Sequence, residues 1–425
     1  MLGTMFPKYA MRLSNDNGVQ SFKISHSKMF ALIFCLLLLS TFLLGQTLSL
    51  LTDSVTVSTS GRIGDFSISP LHVEGRWIKD SDGNNVVLHG VNAGGFADKP
   101  AGLWSGAWFS TYQYWSTHQD LVTSELDAIK SWGLNAIRVM NAVEYWVYNT
   151  ENHRQVIKEL LELCEERGIY VIFEPYCIRA YDNGIFQDNL PYPPYQQGAN
   201  ADEVIPDRQA YINLMADYAS ELKDYPNLIL GTWNEPNRDS GGNVADWMSV
   251  VQQAITAMRA TGFDNIILVQ WDYNVWANLQ FPPPSPPQPS APTSTLDWIY
   301  NYPLTGSNIA YQTHLYDPFG QSATYDQIKA GFNYTWINYV TYNMSKPLII
   351  GECGANLWNT GQALTNELSQ FENTLKILNE MSIGYLAWEW RTVVAYPLIT
   401  SNNPTYTPSS AGTILQTYAT AELGQ

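Results

Sequence analysis

Basic residues are scarce in this chain. It carries 22 Lys and Arg against 39 Asp and Glu in 425 residues, a formal charge of −17. A nucleic-acid partner needs a cationic face, and no run of Lys and Arg occurs beyond the first thirty residues, so nucleic acid is excluded. Cysteine is sparse too. Cys35, Cys164, Cys177 and Cys353 show no C-x-x-C spacing, which excludes a zinc ribbon and a disulfide framework. With Cys35 set aside in an apolar run, the other three allow either one disulfide or three buried thiols. No His/Asp/Cys cluster offers a metal site, and the bare pair Gly94-Gly95 is no dinucleotide loop. Neither a metal nor a cofactor is expected. Only 14% of residues are charged, so polarity rests on Asn, Ser, Thr, Gln and 26 Tyr, beside 15 Trp. That composition excludes general disorder and suits a folded protein acting on something flat, neutral and hydroxyl-rich.

The first fifty residues read as an address. Residues 1–28 hold Lys8, Arg12, Lys23 and Lys28 against Asp16, a net of 4 − 1 = +3. An apolar run follows over 29–51, MFALIFCLLLLSTFLLGQTLSLL. Basic residues before an apolar core keep the N-terminus cytoplasmic and send the remainder across the membrane. The run is long enough to span, so it serves either as a cleaved signal peptide or as a retained membrane anchor. The expected location is extracellular, secreted or tethered to the outer face of the membrane. Residues 52–66, small and rich in Ser and Thr, read as a linker, and 67–425 as one catalytic domain.

Within 67–425, short apolar runs alternate with longer amphipathic ones. Strands are expected at 86–92, 135–139, 169–175, 227–233, 264–270, 309–315, 347–352 and 383–388. Helical patterns lie at 119–132, 151–166, 206–222, 243–260, 325–341 and 362–380. Gly133 and Gly168 stand where helix C-terminal glycines belong. The strands are near-continuously apolar, as strands covered on both faces must be. Eight alternating units predict an α/β fold, a (β/α)8 TIM barrel preceded by the apolar signal or anchor segment. Residues 93–118 form a long aromatic first loop, and 281–292 (FPPPSPPQPSAP) a stiff proline-rich surface loop.

Barrel chemistry sits at the C-terminal strand ends. There the sequence places Arg138 on the second strand, Asn234 and Glu235 on the fourth, and His314 and Tyr316 on the sixth. Glu352 ends the seventh and Trp388 the eighth. Two carboxylates in one mouth are what glycosidic cleavage requires, one holding a proton for the leaving oxygen and one ionised toward the anomeric carbon. Asn234 is suited to a sugar 2-hydroxyl, Arg138 and Tyr316 to orienting Glu352, and His314 to tuning Glu235. A lone strand-end Glu is more often a solvated or paired residue; the pair, with these neighbours, is not.

Together Asn-Ala-Ile-Arg138, Trp-Asn234-Glu235-Pro236, His314-Leu-Tyr316, Ile-Ile-Gly-Glu352 and Ala-Trp388 resemble glycoside hydrolase family 5, of the retaining (β/α)8 clan. Leu88-His-Gly-Val-Asn92 also resembles that family's first strand. The resemblance implies Glu235 as acid/base, Glu352 as nucleophile, and Arg138, Asn234, His314 and Tyr316 as supporting residues. Trp388 becomes the platform under the sugar at the cleavage point. The third strand departs from the family, which ends it in histidine; here it reads Phe173-Glu174-Pro175-Tyr176-Cys177. Either Tyr176 supplies a hydroxyl there or Glu174 brings a third carboxylate near the site.

Aromatic subsites are expected from Trp271 and Trp390, each just after a strand, with Trp104, Trp108, Trp115, Tyr273 and Trp358 as further mouth candidates. Trp132, on a helix, is expected to pack against the barrel. The expected activity is retaining hydrolysis of a β-linked polysaccharide or oligosaccharide, endo-β-1,4-glucanase-like, by a monomer. A β-mannanase or exo-β-glucanase is the nearest alternative. A cell-surface transglycosylase and a non-catalytic carbohydrate-binding barrel are the alternatives of another class.

Overall fold

A computed structural model of the chain describes residues 68–93, 119–149, 152–176, 205, 207–234, 236, 244–270, 302–316, 323–334, 336–392, 394–402 and 404–420. The apolar segment 29–51, the linker, the first loop and the proline-rich loop lie outside these. Among the described residues no helix is long and apolar enough to cross a membrane.

Eight parallel strands close into a barrel. They are β3 (His89–Asn92), β4 (Ala136–Ala142), β5 (Tyr170–Tyr176), β6 (Leu228–Gly231), β7 (Ile267–Gln270), β8 (Ile309–Leu315), β9 (Leu348–Cys353) and β10 (Gly384–Ala387), in chain order, with β10 returning to β3. All eight expected strands are present, most of them shorter or shifted by a residue. The helices α1 (Gln119–Ser131), α3 (His153–Glu165), α4 (Arg208–Leu222), α5 (Val244–Ala260) and α8 (Gly361–Met381) lie within two residues of expectation. Gly133 and Gly168 adopt φ of 81° and 63°, the left-handed turn that ends a helix at little cost for glycine.

Three differences are structural. The expected helix 325–341 is broken into α6 (Tyr325–Tyr334), α7 (Trp336–Asn338) and a π-helical turn, Tyr339–Asn343; its sequence, NYTWINYVTYN, is aromatic and β-branched and holds a regular helix poorly. A hairpin of β1 (His72–Glu74) and β2 (Trp77–Lys79) precedes the barrel. Two helices were not foreseen: short α2 (Val143–Tyr148), directly after β4, and α9 (Ser410–Thr420), capped by Ser409 Oγ accepting from the Gly412 amide at 3.0 Å.

Strand alternation sorts the core into two clusters. Val91, Ile137, Val139, Val171, Phe173, Leu230, Ile267 and Val269 point outward to the helices. Leu88, Ala136, Ile172, Ile229, Leu268, Ala310, Ile349 and Leu386 point inward and form a separate apolar plug, joined by Ile68, Leu71 and Ile78 of the hairpin region. The N-terminal end of the barrel is thus filled with hydrocarbon. Two residues further along β4, β5, β7 and β8 the inward positions become polar. Cys164 and Cys353 are buried free thiols, and Cys177 lies outside the described residues.

Candidate active site

The inward step of two residues leads from Ala136 to Arg138, from Ile172 to Glu174, from Leu268 to Gln270, and from Ala310 to Gln312 and His314. All five polar side chains are buried. A charged or amide group buried this deeply must find partners, and Arg138 is the hub. Its Nη1 donates to Asn92 Oδ1 and to Glu352 Oε1, both at 2.8 Å, and its Nη2 donates to Asn234 Oδ1 at 2.6 Å.

Glu352 reaches this layer by a backbone irregularity. β9 pairs Ile350 with Thr313 and then Glu352 with His314, skipping Gly351, and β10 shows the same shift between Tyr385 and Ala387. Without the extra residue, Ile349 facing inward would turn Glu352 outward. The bulge inverts that parity, so Cys353 joins the outer core and Glu352 faces the barrel mouth. Glycine is required at the bulge: a Cβ on Gly351 would lie 2.4 Å from Gln312 Oε1.

Both oxygens of Glu352 are held. Arg138 donates to Oε1, and Tyr316 Oη donates to Oε2 at 2.8 Å. A guanidinium and a phenol on one carboxylate favour its ionised form and fix its rotamer. The Tyr316 ring meets Tyr396 edge-on at 5.2 Å, which holds the phenol in place. His314 Nδ1 lies 3.4 Å from Glu352 Oε2. Burial pushes His314 down to about 3, with Glu352 opposing and Arg138 adding to that shift, so this imidazole is neutral in use. Asn92, not foreseen as a site residue, ties three strands: its Nδ2 donates to the Gly351 and Leu386 carbonyls at 2.8 and 3.2 Å. Asn234 is fixed with its amide oxygen toward Arg138, and its backbone N–H donates to Pro175 O at 2.9 Å.

A carboxylate at a barrel mouth, oriented by Arg and Tyr beside an Asn, agrees with the sequence match. The chain fits the family model Cellulase (glycosyl hydrolase family 5) over residues 80–393. The chain belongs to glycoside hydrolase family 5.

Within this family the chain is 20% identical over 323 residues to a mannan endo-1,4-beta-mannosidase of Cellvibrio japonicus (strain Ueda107), spanning 75% of this chain and 58% of that protein. It is 26% identical over 253 residues to endoglucanase A of Butyrivibrio fibrisolvens, spanning 58% of this chain and 45% of that one. The chain therefore covers about half the length of these curated relatives. In solved structures the fold is shared with the beta-glucanase SdGluc5_26A from Saccharophagus degradans in complex with cellotetraose. That pair has a TM-score of 0.59 at 17% identity, covering 86% of this chain and 99% of that one. A hyperthermophilic endocellulase from Pyrococcus horikoshii gives the same TM-score, 0.59, at 17% identity, covering 84% and 100%.

The remaining expected site residues divide. Trp388 follows β10 with its ring half-buried, and its backbone N–H donates to Cys353 O at 2.7 Å. Tyr176 ends β5 and is half-buried. Trp358, in the loop after β9, is 71% exposed. Trp390 is a correction: it is buried, edge-on to Trp132 at 4.6 Å and stacked near Tyr406 at 6.0 Å. The strand ends at Ala387, so alternation no longer directs the ring, and packing against two aromatics captures it for the core. Trp132 packs as expected. Glu235, Trp271, Trp104, Trp108, Trp115 and Tyr273 lie outside the described residues. Of the two alternatives at the third strand, Glu174 does bring a third carboxylate near the site: it is wholly buried, with Oε2 3.7 Å from Arg138 Nε.

Gly231 makes room for that carboxyl. A Cβ there would fall 2.3 Å from Glu174 Cδ and Oε2. Gly231→Ala is expected to cost about 1–3 kcal/mol through overpacking, read as a lowered Tm, and to reduce activity by displacing the groups above it. An unchanged Tm would show that the buried layer yields freely.

Acid lability follows from the buried imidazoles. Burial pushes His89 and His153 down to about 4 and His314 to about 3. The unfolded chain binds a proton at each below about 6.5. These three contributions are therefore complete above that pH and lost as it falls toward about 4. Glu174 has the opposite sign: raised by burial to about 7, it keeps a proton that the unfolded carboxyl releases above about 4.3, so its contribution falls as pH rises. Three protons against one leave an excess of two on the unfolded chain in between, a slope of up to about 2–3 kcal/mol per pH unit. Tm is expected to fall steadily from about pH 6.5 to about pH 4.5; a flat Tm would contradict neutral burial of these histidines.

Proposed function

We propose that this family 5 barrel is a retaining β-glycanase, acting first on β-1,4-linked glucan. The observation that carries the reading is Glu352, with one oxygen bonded by Arg138 and the other by Tyr316 at the barrel mouth. A carboxylate so fixed and charged is a nucleophile for an anomeric carbon. In the first step Glu352 attacks C1 and the C1–O bond breaks, while Glu235, next in sequence to Asn234, gives its proton to the leaving oxygen. In the second, Glu235 takes a proton from water, whose oxygen displaces Glu352 from C1 with net retention. Asn234 serves the sugar 2-hydroxyl, and Trp388 stacks beneath the ring.

The substrate class draws on the relatives, an endoglucanase, a beta-glucanase seen with cellotetraose and a mannosidase. Mannan is the second reading, because the Cellvibrio mannosidase aligns over 75% of the chain. Export through residues 29–51 places the monomeric domain outside the cell, free or tethered. The test is reducing-sugar release by the purified protein from carboxymethyl-cellulose, mannan, β-1,3-glucan and xylan. Release from the first supports glucanase action, and release from mannan alone moves the assignment. Silence on all four by folded protein defeats the hydrolase reading in favour of transglycosylation or simple binding.

A further inference from the structure

Glu174 is wholly buried beside Arg138, the partner of Glu352, and its two oxygens have unequal surroundings. Gln312 Nε2 donates to Oε2 at 2.5 Å, and Arg138 Nε lies 3.7 Å from that same oxygen. Among the described residues Glu174 Oε1 and Gln312 Oε1 are both buried without a hydrogen-bond partner, and beyond Gln312 and Arg138 the carboxyl draws only on the Trp233 backbone N–H. Two buried acceptors without donors are costly. A proton on Glu174 Oε1, directed at Gln312 Oε1, satisfies both. Turning the Gln312 amide over changes nothing, since it would set its oxygen against Glu174 Oε2 and again require a proton.

The arginine geometry points the same way. An ionised carboxylate beside a guanidinium closes a bond of about 2.7–2.9 Å. Arg138 instead commits Nη1 and Nη2 to Asn92, Glu352 and Asn234, and leaves Nε at ion-pair distance from Glu174. The charged groups acting on Glu174 are Arg138 from β4 and Glu352 from β9, with Gln312 and the Trp233 backbone N–H as neutral donors; His314 stands behind Glu352, and β6 presents Gly231. With His314 neutral, Arg138 and Glu352 cancel, and an ionised Glu174 would be an unmatched buried charge.

We propose that Glu174 works as a protonated acid, its Oε1–H donating to Gln312 Oε1 while Oε2 accepts from Gln312 Nε2. This acid–amide ring is a neutral floor beneath Arg138. It makes Glu174 a positioning residue: the full guanidinium charge stays with Glu352, and the planar ring props the guanidinium at its height. The functional half of this inference rests on Glu352 being the nucleophile; the ring does not. Burial raises Glu174 to about 7 against the opposing pull of Arg138, so the floor is intact in mild acid. It ionises as pH rises past neutrality, when Arg138 becomes shared between two carboxylates and turnover falls.

The test compares wild type with Glu174→Gln and Glu174→Leu in the full chain. Glutamine reproduces the ring as an amide–amide pair, so Glu174→Gln is expected to keep kcat/KM within a factor of a few at mildly acid pH and to move its alkaline limb to higher pH. Glu174→Leu strands Gln312 and is expected to lose at least about tenfold. Infrared difference spectra between wild type and Glu174→Gln should show a protonated-carboxyl C=O band at about pH 6 that titrates away above neutrality. A folded Glu174→Gln protein with activity down about 100-fold, or the absence of that band, would overturn the proposal. If no glycan is cleaved at all, the hydrolase reading fails while the infrared band still decides the ring.

Discussion

Glu352→Gln is expected to lower kcat by about 10⁴-fold or more, with oligosaccharide binding retained. Glutamine keeps the shape: its amide oxygen can still accept from Arg138 while its amide nitrogen donates to the Tyr316 hydroxyl, the two partners now 2.8 Å from the carboxylate oxygens. What it loses is the charge that attacks C1. A second variant assigns the role. Glu352→Gly opens space beside the anomeric carbon, and an aryl β-glycoside with a good leaving group needs little acid assistance. With added azide, the anion enters where the carboxylate stood and bonds C1 from the α face. An α-glycosyl azide therefore identifies Glu352 as the nucleophile. A β-azide would mean that the second displacement is being replaced, making Glu352 the acid/base and reversing its assignment with Glu235.

The sequence carried the barrel because parallel strands buried on both faces must be apolar, and β8 was legible to the residue at 309–315. The strand-end residues Arg138, Asn234, His314, Tyr316 and Glu352 were legible because polar groups interrupt those runs. The structure joins all of them through Arg138 or Glu352. Less visible was the inward layer that supports them. Gln312 and Asn92 follow the period-two rule from Ala310 and Gly90, and a Gln inside IAYQTHL was the signal available. The bulge at Gly351 was hidden, because pairing register is not written in one strand alone. Trp390 misled for a related reason: its neighbours Trp132 and Tyr406 lie far off in sequence, and a ring outside a strand follows packing.

Arg138→Lys is expected to be nearly as damaging as loss of the nucleophile's charge, though by a different route. Arg138 is wholly buried, and three acceptors, Asn92 and Glu352 on two strands and Asn234 just beyond a third, share its two terminal nitrogens. A lysine keeps the charge but offers one nitrogen at the end of a flexible stem, and cannot fill that fork. At least one buried acceptor is left unpaired, at about 1–3 kcal/mol each, so Tm should fall. The kinetic split is the sharper readout. Since Arg138 acts through Glu352 and Asn234, its loss should lower kcat by about 10²- to 10³-fold while KM changes little. A rise in KM at constant kcat would make Arg138 a sugar ligand, which its burial denies. If Glu174 is the neutral floor inferred above, the smaller ammonium no longer needs to be propped. Glu174→Leu should then cost less activity in the Arg138→Lys background than in wild type, and additive losses would separate the two residues.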